Sequence, residues 1–128
     1  MDPRSPFRIL VVEDEPVIRE LVRSMLDDGP VVVETAGSGA EGLRRALESR
    51  FDLILLDVVL PGMDGLTVCR ILKAEPATAA VPLYMLTAKT RRSDLEAALA
   101  AGANGYIHKP FRGAELMELV ERLRSAEG

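Results

Sequence analysis

A chain of 128 residues, 48% hydrophobic and 28% charged, has the size and composition of one globular domain, and we expect a single domain over 1–128 with its core at about 7–126. The net charge of −4, without a basic stripe, argues against direct binding to nucleic acid. No apolar run approaches the ~18 residues of a membrane span, and the first residues carry no signal-peptide core. The single cysteine, Cys69, excludes an internal disulfide, predicts a cytoplasmic protein, and falls on an apolar helix face as a core residue.

Hydrophobic periodicity predicts five strands that alternate with five helices. The predicted strands are residues 7–12, 31–35, 51–57, 81–86 and 105–107. The predicted helices are residues 16–28 and 38–50, a third from about 64 to before Pro76, a fourth with Gly102 as its C-cap, and a fifth that ends near 125. This alternation indicates a parallel sheet with helices on both faces, which is a doubly wound α/β fold.

The third predicted strand runs directly into a carboxylate. Residues 53–56, LILL, form an apolar run that is typical of a strand buried on both faces, and Asp57 follows at once. A charge at the mouth of an apolar strand is unfavourable unless it is paired, solvated or bound to a metal. The turn signals PG at 61–62 and DG at 64–65 predict a structured loop between Asp57 and the third helix.

Polar side chains stand at the C-terminal ends of four predicted strands. Glu13 and Asp14 follow the first strand, Asp57 the third, Thr87 the fourth and Lys109 the fifth. If the strand order is 2-1-3-4-5, these four strand ends share one cleft at the switch in strand order. Alone, the acidic loop 13–15 would be explained by its place before a helix N-terminus, where acidic residues are favourable. With Asp57 at the neighbouring strand end, a binding site is the better interpretation.

The residue types at these strand ends predict phosphoryl transfer. Carboxylates that are ~4 Å apart repel each other by on the order of 4 kcal/mol per pair at an effective dielectric of about 20, so they must protonate or bind a cation. Because only oxygen ligands are on offer, we expect Mg²⁺. Lys109 and Thr87 on the opposite side of Asp57 complete a site for a dianionic tetrahedral group, with Asp57 as the nucleophile. Lys109 would neutralise developing charge, and Thr87 would donate a hydrogen bond.

The sequence resembles the receiver domain of two-component response regulators over about 7–126. The matching motifs are Glu13-Asp14, DVVLPGMDG from position 57, Thr87-Ala88 and Lys109-Pro110-Phe111. The resemblance implies a flavodoxin-like (βα)5 fold whose five parallel strands have the order 2-1-3-4-5. It also implies a signalling module that catalyses only its own phosphorylation and dephosphorylation.

By this resemblance, Asp57 accepts a phosphoryl group from the phosphohistidine of a histidine kinase or a phosphotransfer protein. Asp14, Asp57 and the backbone carbonyl of Val59 would bind Mg²⁺ directly, and Glu13 would act directly or through a water. Because the Val59 side chain cannot orient a hydrolytic water and Lys89 could sit over the phosphoryl group, we predict slow-to-moderate self-dephosphorylation.

The resemblance also implies a switch that changes a binding surface. Thr87 would move towards the phosphoryl oxygen, Tyr106 would turn from an outer to an inner rotamer, and the Lys109–Pro110 peptide bond would be cis. The surface of the fourth helix, fifth strand and fifth helix would then bind a target or form a phosphorylation-dependent homodimer. Residues 102–105, GANG, lack the acidic pair of the winged-helix transcription-factor subgroup, which argues against that subgroup's dimer. Strand alternation points His108 away from the cleft, to the surface.

Three other functions stay open at this point. The chain ends close to its last helix, so it is either a free-standing regulator or a receiver cut from a larger regulator with a DNA-binding or enzymatic output domain. An FMN- or nucleotide-binding module has the same fold, but the acidic loop after the first strand would repel a phosphate. A phosphatase of the aspartyl-nucleophile type would carry a second Asp two residues after the nucleophile, where this chain has Val59.

Overall fold

The computed structural model describes residues 6–88 and 91–127, in which five strands alternate with five helices. The strands are β1 (Phe7–Val12), β2 (Val31–Ala36), β3 (Leu53–Asp57), β4 (Leu83–Thr87) and β5 (Gly105–His108). The helices are α1 (Pro16–Leu26), α2 (Gly39–Glu48), α3 (Gly65–Ala74), α4 (Arg92–Ala100) and α5 (Gly113–Glu127). Within these ranges, no helix is both long and apolar enough to cross a membrane.

The five strands form one parallel sheet in the order β2-β1-β3-β4-β5, which confirms the predicted topology. The apolar run at 53–56 is fully buried because helices cover both faces of the central strand. This strand begins at Leu53, later than predicted. Asp52 stands just outside it, where its carboxylate accepts a hydrogen bond from the backbone N–H of Arg8 at 2.8 Å.

Two hydrophobic clusters, one on each face of the sheet, form the core. On one face, Leu10, Ile54 and Leu56 pack with apolar residues of α2, α3 and α4. On the other face, Ile9, Val11, Leu53 and Leu55 pack with apolar residues of α1 and α5. Full burial of each such side chain contributes about 1.5–3 kcal/mol, so the clusters hold the strand ends in a rigid frame.

Cys69 lies in the first of these clusters and is buried, as predicted from its helix face. Its Sγ lies 3.5 Å from the carbonyl oxygen of Ala101. Burial raises the pKa of this thiol. The residue is therefore a packed core side chain.

Helix ends follow local hydrogen bonding. Ser38 caps α2 by accepting the N–H of Glu41 at 3.1 Å, and the Glu41 carboxylate accepts the N–H of Gly37 at 2.7 Å. The C-cap of α4 is Ala101, one residue before the predicted Gly102. Gly102 takes the next position, with φ +105, a conformation that favours glycine.

Candidate functional site

The C-terminal ends of β1 and β3 place three carboxylates together at the switch in strand order. Glu13 and Asp14 follow β1, and Asp57 is the last residue of β3. One carboxylate oxygen from each residue lies within 4.8 Å of the others. Glu13 and Asp57 are buried, whereas Asp14 is exposed, so the cluster is reached from solvent on its Asp14 side.

Lys109 joins two of these carboxylates. Its Nζ lies 3.0 Å from Asp57 Oδ2 and 2.5 Å from Glu13 Oε1, and its side chain is only 17% exposed. The sequence placed Lys109 on the opposite side of Asp57 from the acidic pair. The structure instead places the ammonium between Glu13 and Asp57, because β5 ends close enough for the long side chain to reach across the end of β3.

The titration of these groups reflects their burial. Burial raises the pKa of Glu13 to about 7, although its hydrogen bonds with Lys109 and the N–H of Glu15 act in the opposite direction. Burial by itself would lower the pKa of Lys109, but its hydrogen bonds to Glu13 and Asp57 outweigh that effect and raise it. Lys109 therefore stays charged at neutral pH, while Glu13 is poised between its two protonation states.

Backbone amides orient the two buried carboxylates. Asp57 Oδ1 accepts the N–H of Val59 at 3.0 Å, and Glu13 Oε2 accepts the N–H of Glu15 at 3.1 Å. The loop after Asp57 is tight because α3 begins directly against it. A Cβ on Gly65 would lie 2.1 Å from the Asp57 carbonyl oxygen, so only glycine fits this close approach.

The donor set fits a hard divalent cation. All three side chains offer oxygen, and each carboxylate oxygen of Glu13 and Asp57 has a second lone pair beyond the hydrogen bond that it accepts. Three carboxylates and one ammonium leave two negative charges uncompensated when Glu13 is ionised. Lys109 and a backbone N–H bind the carboxylates of both Glu13 and Asp57, whereas Asp14 is exposed to solvent.

Thr87 is buried at the end of β4, and the register of β3 and β4 places it next to this cluster. Asp57 pairs with Leu86 across β3 and β4, so Thr87 is one residue further towards the C-terminal edge. Its backbone carbonyl accepts the N–H of Lys109 at 2.8 Å. Lys89, to which the sequence assigned a position over the phosphoryl group, lies outside the described residues.

Tyr106 and His108 share the outer face of β5. Their ring centroids are 5.3 Å apart with an interplanar angle of 22°, which is a stacked arrangement. Both side chains are exposed, in agreement with the surface position expected for His108. Tyr106 borders a shallow cavity of about 210 Å³ with Tyr84 and residues of α5. The Lys109–Pro110 peptide bond that follows is cis.

Sequence reasoning missed one residue near the site. Arg19, on α1, donates from Nη1 to the carbonyl oxygens of Glu13 and Asp14 at 2.8 and 3.1 Å. No pattern in the sequence separates Arg19 from the other arginines of the amphipathic helices. Only the fold of the β1–α1 loop brings these carbonyls to the guanidinium.

The fold and the site define a doubly wound α/β domain with a carboxylate cluster at the switch in strand order. The model of the response regulator receiver domain matches residues 9–121. The chain therefore belongs to the receiver domain family of two-component response regulators.

Known proteins of this family are similar along nearly the whole chain. The DNA-binding response regulator MtrA of Mycolicibacterium smegmatis is 43% identical over 121 residues, which are 94% of this chain and 52% of MtrA. The chain thus spans about half the length of this regulator. The chemotaxis protein CheY4 of Vibrio cholerae has a TM-score of 0.87 at 33% identity, covering 93% of this chain and 99% of CheY4.

A second similar structure contains a metal. It is the receiver domain of the sensor histidine kinase PA1611 from Pseudomonas aeruginosa, with a magnesium ion coordinated in its active site cleft. Its TM-score is 0.86 at 36% identity, and the match covers 94% of this chain and 99% of that domain. Family membership favours a receiver over the FMN-binding module and the aspartyl phosphatase.

Proposed function

We propose that Asp57 is the phosphoacceptor of this receiver domain. The observation that carries this proposal is the position of its carboxylate, which is held by Lys109 at 3.0 Å and clustered with Glu13 and Asp14 at the end of a buried strand. A nucleophile must be fixed in place and its charge balanced before it can approach a phosphoryl dianion. Asp57 meets both requirements.

The donor is a phosphohistidine of a histidine kinase or a phosphotransfer protein. An Asp57 carboxylate oxygen forms the new P–O bond while the P–N bond to the imidazole breaks, and the bonding electron pair stays on the imidazole nitrogen. Lys109 stabilises charge on the phosphoryl oxygens, and Thr87 donates a hydrogen bond to one of them. The domain catalyses no other reaction than this transfer and the later hydrolysis of its own aspartyl phosphate.

Mg²⁺ is the cation proposed for the carboxylate cluster. Asp14, Asp57 and the Val59 carbonyl would hold it, with Glu13 acting directly or through a water. When bound, it supplies positive charge for the oxygens of the transferred group. Support comes from the all-oxygen donor set and from the magnesium-containing PA1611 receiver.

The consequence proposed for phosphorylation is a change in the surface formed by α4, β5 and α5. Thr87 moves towards the phosphoryl group, and Tyr106 turns inward as space opens behind it. The changed surface binds a protein target, an output domain or a second copy of the chain. The similarity to half of a DNA-binding regulator supports an output domain as one such target. The single cysteine supports a reducing, cytoplasmic setting.

The phosphoacceptor is tested by incubating the protein with a small-molecule phosphodonor and Mg²⁺ and measuring its intact mass. We expect the addition of one phosphoryl group that is stable to acid and labile to base. Asp57→Asn or EDTA should abolish the addition. A mass shift of the same size in Asp57→Asn would refute the assignment.

A further inference from the structure

Arg19 reaches back from the end of the first turn of α1 to the loop that carries two of the acidic residues. Its Nη1 donates to the carbonyl oxygens of Glu13 and Asp14, at 2.8 and 3.1 Å. Helical side chains point towards the helix N-terminus, so a residue in this turn is well placed to contact the preceding loop. The guanidinium therefore fixes the backbone from which both carboxylates project.

Arg19 lies beside the acidic loop 13–15, whose carboxylates favour a cation here. The N-terminus of a helix carries partial positive charge, and α1 has no acidic residue in its first turn. Its N-cap, Glu15, makes no side-chain capping bond, so the carbonyl contacts of Arg19 are an additional support for this turn. The two carbonyl contacts therefore give Arg19 a specific role in holding the loop at the start of α1.

Gly37, in the turn between β2 and α2, leaves the space that the guanidinium occupies. A Cβ built on Gly37 would lie 3.2 Å from Arg19 Nη1, tighter than an ordinary contact. The guanidinium thus sits between the acidic loop and the neighbouring turn. Even one methyl group at Gly37 would press on the nitrogen that holds both carbonyls.

We propose that Arg19 is a positioning residue for the divalent-cation site: it sets the distance between the Glu13 and Asp14 carboxylates through their backbone carbonyls. The inference rests on the proposed function, since it assumes that these carboxylates bind Mg²⁺. Residues that hold metal-binding groups in place without touching the metal contribute about 10–100-fold to metal affinity in proteins. Because the contacts of Arg19 are to backbone, we expect an effect near the lower end of that range.

The test measures Mg²⁺ binding by isothermal titration calorimetry and, without metal, hydrogen exchange of the amides at 14 and 15. Arg19→Ala should raise the Kd for Mg²⁺ about tenfold and speed exchange at both amides. Arg19→Lys should restore only part of the affinity, because an ammonium lacks the planar fork of a guanidinium. The Mg²⁺ concentration that gives half-maximal phosphorylation should rise in the same proportion as the Kd.

Arg23→Ala is the matched control. Arg23 is one turn further along α1 and contacts Thr35 Oγ1 at 3.3 Å, away from the acidic loop. Its replacement should leave the Kd for Mg²⁺ within about twofold of wild type. Gly37→Ala should reproduce part of the Arg19→Ala effect in the presence of an intact arginine.

The positive charge of Arg19 also repels Mg²⁺, and this repulsion opposes the positioning effect. Arg19→Gln removes that charge and keeps a donor, so tighter Mg²⁺ binding in this variant would overturn the proposal. Unchanged Kd values and unchanged exchange in Arg19→Ala would do the same. If the wild-type protein neither bound Mg²⁺ nor gained a phosphoryl group, the proposed function itself would be wrong. If wild type did both and only the Arg19 variants behaved like wild type, the role of Arg19 alone would be wrong.

Discussion

The ammonium of Lys109 lies 2.5 Å from the buried carboxylate of Glu13, although 96 positions separate the two residues. The same nitrogen contacts Asp57, so one cation holds together the ends of β1, β3 and β5. Burial of two carboxylates is tolerated because this ammonium compensates one of their charges. The contacts of Lys109 therefore contribute both to the stability of the fold and to the geometry of the site.

Replacing Lys109 with methionine should destabilise the metal-free protein, because two buried carboxylates then lack their shared cation. We expect a loss of about 3 kcal/mol at pH 8, at the lower end of the range for breaking a buried pair. At pH 5 the loss should be smaller, because Glu13 then takes up a proton. Urea unfolding at both pH values measures this difference. An equal loss at both would show that Glu13 does not respond to Lys109.

Glu13 should make the metal-free protein less stable as pH rises. Its pKa is about 7 in the folded state and near its ordinary value of 4.5 when unfolded, so the folded state binds more protons between these values. The free energy of unfolding therefore loses this contribution from pH 4.5 to 7 and levels off above it. Comparing wild type with Glu13→Gln by urea unfolding isolates the effect. A difference that stays constant from pH 5 to 8 would contradict the raised pKa.

Mg²⁺ should stabilise the protein through Asp14. A ligand that binds only the folded state adds about 2.7 kcal/mol at 100 times its Kd, and EDTA should remove that gain. Asp14 is exposed, so Asp14→Asn should barely alter the metal-free stability while abolishing most of the Mg²⁺-dependent gain. Thermal unfolding with and without Mg²⁺ tests this. A full Mg²⁺ gain in the variant would remove Asp14 from the proposed ligands.

Val59 should limit hydrolysis of the aspartyl phosphate. The residue is 60% exposed while its N–H donates to Asp57 Oδ1, so a substitution changes what faces solvent without disturbing that bond. Val59→Asn introduces an amide that can orient water and should shorten the phosphoryl half-life severalfold. Val59→Leu, which stays apolar, is the control. An unchanged half-life in the asparagine variant would refute this role.

His108 should hold Tyr106 in its outward position. The stacked rings are 5.3 Å apart, and aromatic pairs of this kind contribute about 0.5–1.5 kcal/mol. His108→Ala should therefore raise the inward population of Tyr106 by about two- to tenfold. The ring resonances of Tyr106 in NMR spectra report this population. Identical chemical shifts in wild type and variant would show that the stack has no influence.

The sequence by itself determined the strand–helix alternation, the parallel sheet and the set of polar strand ends. The reason is local. The buried run at 53–56 reads as a doubly covered strand, and strands that alternate with helices must run parallel, which brings their C-terminal ends to one edge. Turn and capping residues such as Ser38 place helix starts to within a residue or two.

Only the tertiary structure decided which of those polar groups touch. Whether Lys109 bridges Glu13 and Asp57 or stands apart from the acidic pair depends on where β5 ends relative to β1, with β3 and β4 between them, and on the reach of a flexible side chain. The contact of Arg19 with the Glu13 carbonyl depends on the path of a loop that no periodicity describes. Local patterns encode elements, whereas contacts between distant side chains arise from the packing that positions those elements.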